Sequence, residues 1–286
     1  MKRILTATVL ILAVFALTFF GKLWMITLFA AIVAELAAFE YLQLANAGST
    51  SDSTRIPLWW MALGTALLFL VNLPGWPTEA VLLPALSALT LTLLAWNGFR
   101  GTLTYILPDT AKGLFGLIYI AYPLTLVPAI WKQEDGMALL LFLMVCVWCG
   151  DIAALYIGKN FGRHKLAPRL SPGKTWEGAI ASVVGSVIAG MAVVYVSDVL
   201  TARGNLILHI AEPVWQSLLL AILLNIAAQL GDLLESAIKR GANVKDSGTM
   251  LPGHGGILDR IDALLLAAPV LWYILLLKDY LGLGRF

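Results

Sequence analysis

From Ser236 to Asp262 the chain reads SAIKRGANVKDSGTMLPGHGGILDRID. The stretch holds three aspartates (Asp246, Asp259, Asp262), four cations (Lys239, Arg240, Lys245, Arg260), one histidine (His254) and five glycines. Carboxylates at this density suit a divalent cation, and the cations suit phosphate groups. Gly255 and Gly256, beside His254, would let backbone amides approach a phosphate closely. Asp259 and Asp262 stand at i, i+3 at the start of an apolar run. One acidic residue there is explained by helix capping; the second is not.

The elements that must position these groups are membrane helices. Of 286 residues 60% are apolar and 13% charged, against about a quarter charged in ordinary soluble chains. Apolar runs recur at the ~20-residue length a bilayer crossing needs, and no short alternating segments suggest a β-barrel. The expected fold is all-α and polytopic. Nine spans are read at roughly 4–20, 23–45, 56–73, 79–96, 113–130, 137–157, 176–199, 213–238 and 260–278. The apolar run after Lys2-Arg3 is read as a retained first helix, because no small-x-small cleavage site follows Phe20. One membrane-embedded domain is expected, with residues 1–135 as helical scaffold and 136–286 as the catalytic half.

The 19 Lys and Arg residues orient the chain. With the N-terminus in the cytoplasm, only Lys22, Lys132, Arg203, Lys278 and Arg285 fall on the far face. The two charge-rich connections, 158–175 and 239–259, then both face the cytoplasm, where nucleotides are.

The eighth span carries Asn225, Gln229, Asp232 and Ser236 at i, i+4, i+7 and i+11, one stripe of a helix. A carboxylate near mid-membrane costs ~2.5–3.5 kcal/mol, and such residues usually face the bundle interior and mark function. Asp232 is therefore read as functional. Glu235 lies on the same side, and pairing with Lys239 as a solvated helix end explains it equally well. Asp151 in the sixth span is placed at similar depth and read as functional. Glu35 and Glu40 in the second span fit a structural role and a site role equally. Ser182, Ser186 and Gly190 form a small-residue packing face. Cys146 and Cys149 are read as packing residues rather than a redox pair.

The loop before the seventh span offers Ser171, Lys174 and Thr175 at a helix mouth, an anion-binding arrangement. Gly173-Lys174-Thr175 is not a P-loop: Pro168 stands where that pattern needs glycine, and no strand is expected before it. His164 is read as a surface residue.

The run from Ser236 to Asp262 resembles the bacterial phosphatidate cytidylyltransferase (CDP-diacylglycerol synthase) family. That family's pattern is approximately S-x-x-K-R-x4-K-D-x-G-x3-P-G-H-G-G-x-x-D-R-x-D, and it runs unbroken here. The resemblance extends to Gly231–Ser236, Ser171–Gly178 and Gly150-Asp151; in the first 135 residues it rests on helix pattern and Glu40-Tyr41. It implies Mg²⁺-dependent transfer of a cytidylyl group from CTP to phosphatidate, at the cytoplasmic face of the bacterial inner membrane. It also implies a homodimer of nine-helix subunits among membrane lipids, with no nucleic acid among the partners. It leaves open whether a monovalent cation joins Mg²⁺.

On this reading Asp232, Asp246, Asp259 and Asp262 converge and supply metal ligands, directly or through water. Lys239, Arg240, Lys245 and Arg260 hold phosphates, with His254, Glu235, Gly255 and Gly256 beside them and Ser171, Lys174 and Thr175 closing the site. Two rivals remain. A CTP-dependent polyprenol or dolichol kinase would release CDP. An ion-coupled transporter would also bury Asp232 and Asp151, but usually shows internal repeats.

Overall fold

The computed structural model describes residues 12–47, 55–73, 78–210, 213–251 and 255–282. Lys2, Arg3, Arg285 and the stretch Pro252–His254 lie outside them, as does the first half of the first expected span. The described elements are almost all helical. They are α1 (residues 12–20), α2 (Leu23–Ala47), α3 (Leu58–Val71), α4 (Thr78–Arg100), α5 (Ile106–Gly116), α6 (Tyr122–Trp131), α7 (Gly136–Phe161), α8 (Trp176–Ala202), α9 (Val214–Gly241), α10 (Leu258–Ile261) and α11 (Leu264–Tyr280).

Among the described residues seven helices are long and apolar enough to cross a bilayer. They match expected spans two, four to nine; α3, at 14 residues, rises only ~21 Å against the ~30 Å of a hydrocarbon core. The fifth span is composite. A 3₁₀ turn at Leu103–Tyr105 leads into α5, and a π-helical turn at Leu117–Ala121 leads into α6. Pro123 follows that turn and has no N–H for the ladder, so the helix widens there.

Burial runs opposite to a water-soluble helix. α8 exposes Ile180, Val184 and Ile188 while Ser182 and Ser186 are fully buried. Lipid reverses the usual preference, since apolar surface there gains nothing from being hidden and polar side chains must find partners inside.

The chain forms two compact units that interleave along the sequence. One comprises residues 1–13, 24–125 and 238–260; the other 14–23, 126–237 and 261–286. Residues 238–260 thus belong to the same unit as the N-terminal helices.

In the first unit Trp60, Met61, Leu68, Leu93, Leu117 and Ile120 are buried. The Trp60 indole N–H donates to the Leu89 carbonyl and the Thr92 hydroxyl. α2 turns an alanine-rich face inward (Ala30, Ala34, Ala37, Ala38) and ends it with Glu40 and Tyr41. The Tyr41 hydroxyl donates to the Lys112 carbonyl at 2.8 Å. Gly116 lies against its ring, where a Cβ would collide.

In the second unit α7, α8, α9 and α11 share one apolar core around Phe142, Leu143, Leu224 and Leu271. Small residues let α7 and α8 approach: Gly185 lies against Ala153, Gly178 against Gly158, and Gly190 against Cys146 and Phe142. Cys146 and Cys149 are free thiols, Cys146 buried, as packing residues should be.

The loop before α8 is not irregular. Lys165–Ala167 (β1) and Ser171–Thr175 (β2) pair antiparallel. The hairpin closes on Ala167-Pro168-Arg169-Leu170, with the Leu170 N–H donating to the Ala167 carbonyl. Pro168 supplies the φ that the second position of such a turn needs. The expectation that no strand precedes Gly173-Lys174-Thr175 is thereby overturned, although Pro168 still replaces the glycine of a P-loop.

Candidate active site

Two polar clusters carry the residues singled out by sequence, one in each unit. In the second unit the α9 stripe is a continuous ladder. The Asn225 amide donates at 2.9 Å to both Ser182 and Ser186. Gln229 donates to Asn225 at 2.6 Å and to the Ala179 carbonyl. One turn on, Asp232 forms an ion pair with Lys174 at 2.5 Å, and the Ser236 hydroxyl faces its other oxygen at 3.5 Å. Gly150 packs directly on Asn225, Ser182 and Ser186. The residue after it, Asp151, lies within electrostatic reach of both Asp232 and Lys174. Lys174 and Asp232 close the end of the ladder, and Asp151 feels the charge of both. Ser182 and Ser186, expected only to pack, also satisfy Asn225.

The hairpin fixes Lys174. Thr175 caps α8, its hydroxyl accepting the Gly178 N–H at 3.2 Å. The His164 ring and amide hold Glu177 in the first turn of α8, and the Trp176 N–H returns to the His164 carbonyl. Thr175, expected to bind substrate, is buried and committed to the cap. Ser171 starts β2 at the far end of the hairpin from Thr175. His164 is a largely exposed surface residue, as expected.

Also in this unit, the Asp262 carbonyl presses on Gly231, so closely that a Cβ at 231 would strike it. That contact brings the α10–α11 turn against the residue next to Asp232. The Asp262 carboxylate accepts the N–H of Ala263 at 2.8 Å. Glu235 is fully buried, which overturns its reading as a solvated helix end.

In the first unit the loop between α9 and α10 is organised by carboxylates. Asp259 accepts Lys239 at 2.6 Å on one oxygen. On the other it accepts the amides of Ser247 at 3.0 Å and Gly256 at 2.8 Å. Three of a carboxylate's roughly four acceptor sites are thus filled by protein donors. The Gly256 amide, expected to face a phosphate, is used inside the loop. Gly255 has φ +82° and bridges to Leu251, a conformation that favours glycine. Asp246, Lys245 and Arg260 are exposed. Arg240 donates to the Val244 carbonyl at 2.9 Å, closing the end of α9. His254 lies outside the described residues.

A second carboxylate in this loop comes from α2. Glu40 is 1% exposed and accepts the Ser247 hydroxyl at 2.8 Å, the Ile257 amide at 3.0 Å and the Leu258 amide at 2.9 Å. Sequence reasoning left Glu40 undecided and did not single out Ser247. The available signal was an acid in an otherwise apolar helix.

Of the four aspartates expected to supply metal ligands, Asp246 and Asp259 belong to the first unit and Asp232 and Asp262 to the second. Among the described residues no group of three or more His, Cys, Asp or Glu side chains is arranged to hold a metal ion.

Fold and clusters together define a polytopic helical membrane protein with carboxylates and cations brought together among its helices. The chain matches the cytidylyltransferase family over residues 1–278 and belongs to it. It is 35% identical over 270 residues to a protein of Brucella suis named phosphatidate cytidylyltransferase, covering 94% of this chain and 91% of that protein. Proteins of the same name from Staphylococcus haemolyticus (32%) and Bacillus subtilis (31%) align over 96% of this chain and 98% and 97% of their own lengths.

Proposed function

We propose that this chain is a phosphatidate cytidylyltransferase, converting CTP and phosphatidate to CDP-diacylglycerol and pyrophosphate. The observation that carries the reading is the near full-length similarity to proteins of that name. The Asp151–Lys174–Asp232 cluster and the cation-bearing loop support it from the structure.

A phosphate oxygen of phosphatidate attacks the α-phosphorus of CTP and forms a new P–O bond. The bond from that phosphorus to the bridging oxygen breaks, and pyrophosphate leaves with the electron pair. The nucleophile is already anionic, so no strong general base is needed. The difficulty is to gather anions and to offset the charge that grows on the leaving oxygens. Lys239, Arg240, Lys245 and Arg260 do this for the phosphates. Lys174 holds the Asp232 carboxylate in place and is the cation nearest to it.

Mg²⁺ usually takes one or two carboxylates and completes its shell with water and substrate oxygens. Asp232, Asp246 and Asp262 each offer one such carboxylate; Asp259, already holding Lys239 and two amides, contributes chiefly by shaping the loop. Bound there, Mg²⁺ would neutralise and orient the triphosphate. The same reading places the protein in the bacterial inner membrane, as a homodimer among lipids, with its polar loops in the cytoplasm. The excess of Lys and Arg in alternate connections supports that orientation.

The test is purified protein in detergent with CTP and phosphatidate, with and without Mg²⁺. CDP-diacylglycerol and pyrophosphate in equal amounts, lost on chelation, are expected. Release of CDP with a phosphorylated alcohol would instead favour a lipid kinase.

A further inference from the structure

Glu40 stands more than 200 residues before the loop it touches. Its three donors come from the two flanks of one loop: Ser247 on the outgoing side, Ile257 and Leu258 on the returning side. Two glycines make room for it. A Cβ at Gly248 would meet the Glu40 carboxylate at 2.6 Å, and one at Gly256 would collide with both Glu40 and the Ser247 hydroxyl. Glu40 is itself fixed, because its neighbour Tyr41 is bonded to the Lys112 carbonyl.

Asp259 grips the same two flanks through the Ser247 and Gly256 amides and adds Lys239. Ser247 is the shared member: its hydroxyl goes to Glu40 and its amide to Asp259. Lys245 and Asp246 directly precede it.

We propose that Glu40 is a positioning residue, a buried carboxylate on α2 that sets the polar loop and so the placement of Lys245, Asp246 and, through Asp259, Lys239. The inference rests on the cytidylyltransferase reading for its effect on turnover, but not for its effect on the loop. A carboxylate accepts only; a glutamine in its place turns an NH₂ toward one of three donors. A side chain far from the reacting atoms can cost ~10²-fold by misplacement of about 1 Å.

The experiment compares wild type with Glu40→Gln and Ser247→Ala in detergent. It measures kcat, KM for CTP, thermal midpoint, and amide hydrogen exchange of residues 245–258. For Glu40→Gln the expected result is kcat lower by at least about tenfold with the thermal midpoint nearly kept. Exchange in the loop should rise while α7–α9 stay protected. Ser247→Ala should show the same pattern at smaller amplitude, and it decides the matter if Glu40→Gln does not fold. Unchanged loop exchange and kcat in the folded variant would overturn the proposal. If wild type makes no CDP-diacylglycerol, the activity reading fails on its own, and loop exchange alone decides the role of Glu40.

Discussion

Asn225 and Gln229 are held by helices; Ser247, Gly256 and Leu258 are held by two carboxylates, Asp259 at the loop's own end and Glu40 from α2. In the first region a four-residue spacing on α9 meets a four-residue spacing on α8, and the hydrogen bonds follow from helix geometry alone. In the second there is no local periodicity. Two acids, Glu40 and Asp259, collect backbone amides that the loop cannot satisfy by itself. Helix-borne groups tolerate the loss of one bond, since the backbone ladder keeps them in place. Loop-borne groups depend on each anchor. Substitutions at Asn225 or Gln229 should therefore act on stability in small steps, and substitutions at the anchors should act on the loop and, through it, on turnover.

The largest effect should come from the acids. Asp232→Asn or Asp262→Asn should lower turnover by about 10²–10³-fold or abolish it, with expression and thermal midpoint largely kept, as Asp232 is 39% exposed. Steady-state kinetics on the purified variants checks this; near-normal activity removes that residue from the chemistry. Next comes Lys239→Met. It strands Asp259 without its cation in a pair whose side chains are 12% and 9% exposed. Removing one member of a buried pair typically costs ~3–5 kcal/mol, and thermal unfolding in detergent should fall accordingly, with the loop cut first by protease. A smaller loss is expected for Asn225→Leu, about 1 kcal/mol for the bonds broken to Ser182 and Ser186. Its activity should fall less than that of Asp232→Asn. If the two fall equally, the ladder is part of the chemistry and the contrast drawn here breaks. His164→Ala, at an exposed pair with Glu177, should leave activity within about twofold of wild type.

The two stripes that make the ladder were legible in the sequence because spacing shows them, but their meeting was not, since Ser182 and Ser186 were read only as a packing face. Asn225, Gln229, Asp232 and Ser236 recur on one stripe, and Ser182, Ser186 and Gly190 recur on another. The long apolar helices were legible for the same reason, from length and composition. The loop was legible as chemistry, through its charges and glycines, but not as structure. Nothing local says that Gly248 and Gly256 clear space for an acid on α2, or that the Gly256 amide serves Asp259. Glu40 could be noticed only as an acid where lipid disfavours one. The hairpin at 165–175 escaped notice because its strands, of three and five residues, are too short for alternation to show. Glu235 was left between two readings because its i, i+4 spacing to Lys239 offered a surface explanation, which its complete burial removes.

The most direct test of the central claim follows the phosphorus. Purified protein is given phosphatidate and CTP labelled at either the α- or the γ-phosphate, and the lipid fraction is counted. Label in the lipid from the α position only, with γ-label recovered as pyrophosphate, is the predicted result; γ-label in the lipid, or none from either position, would contradict it.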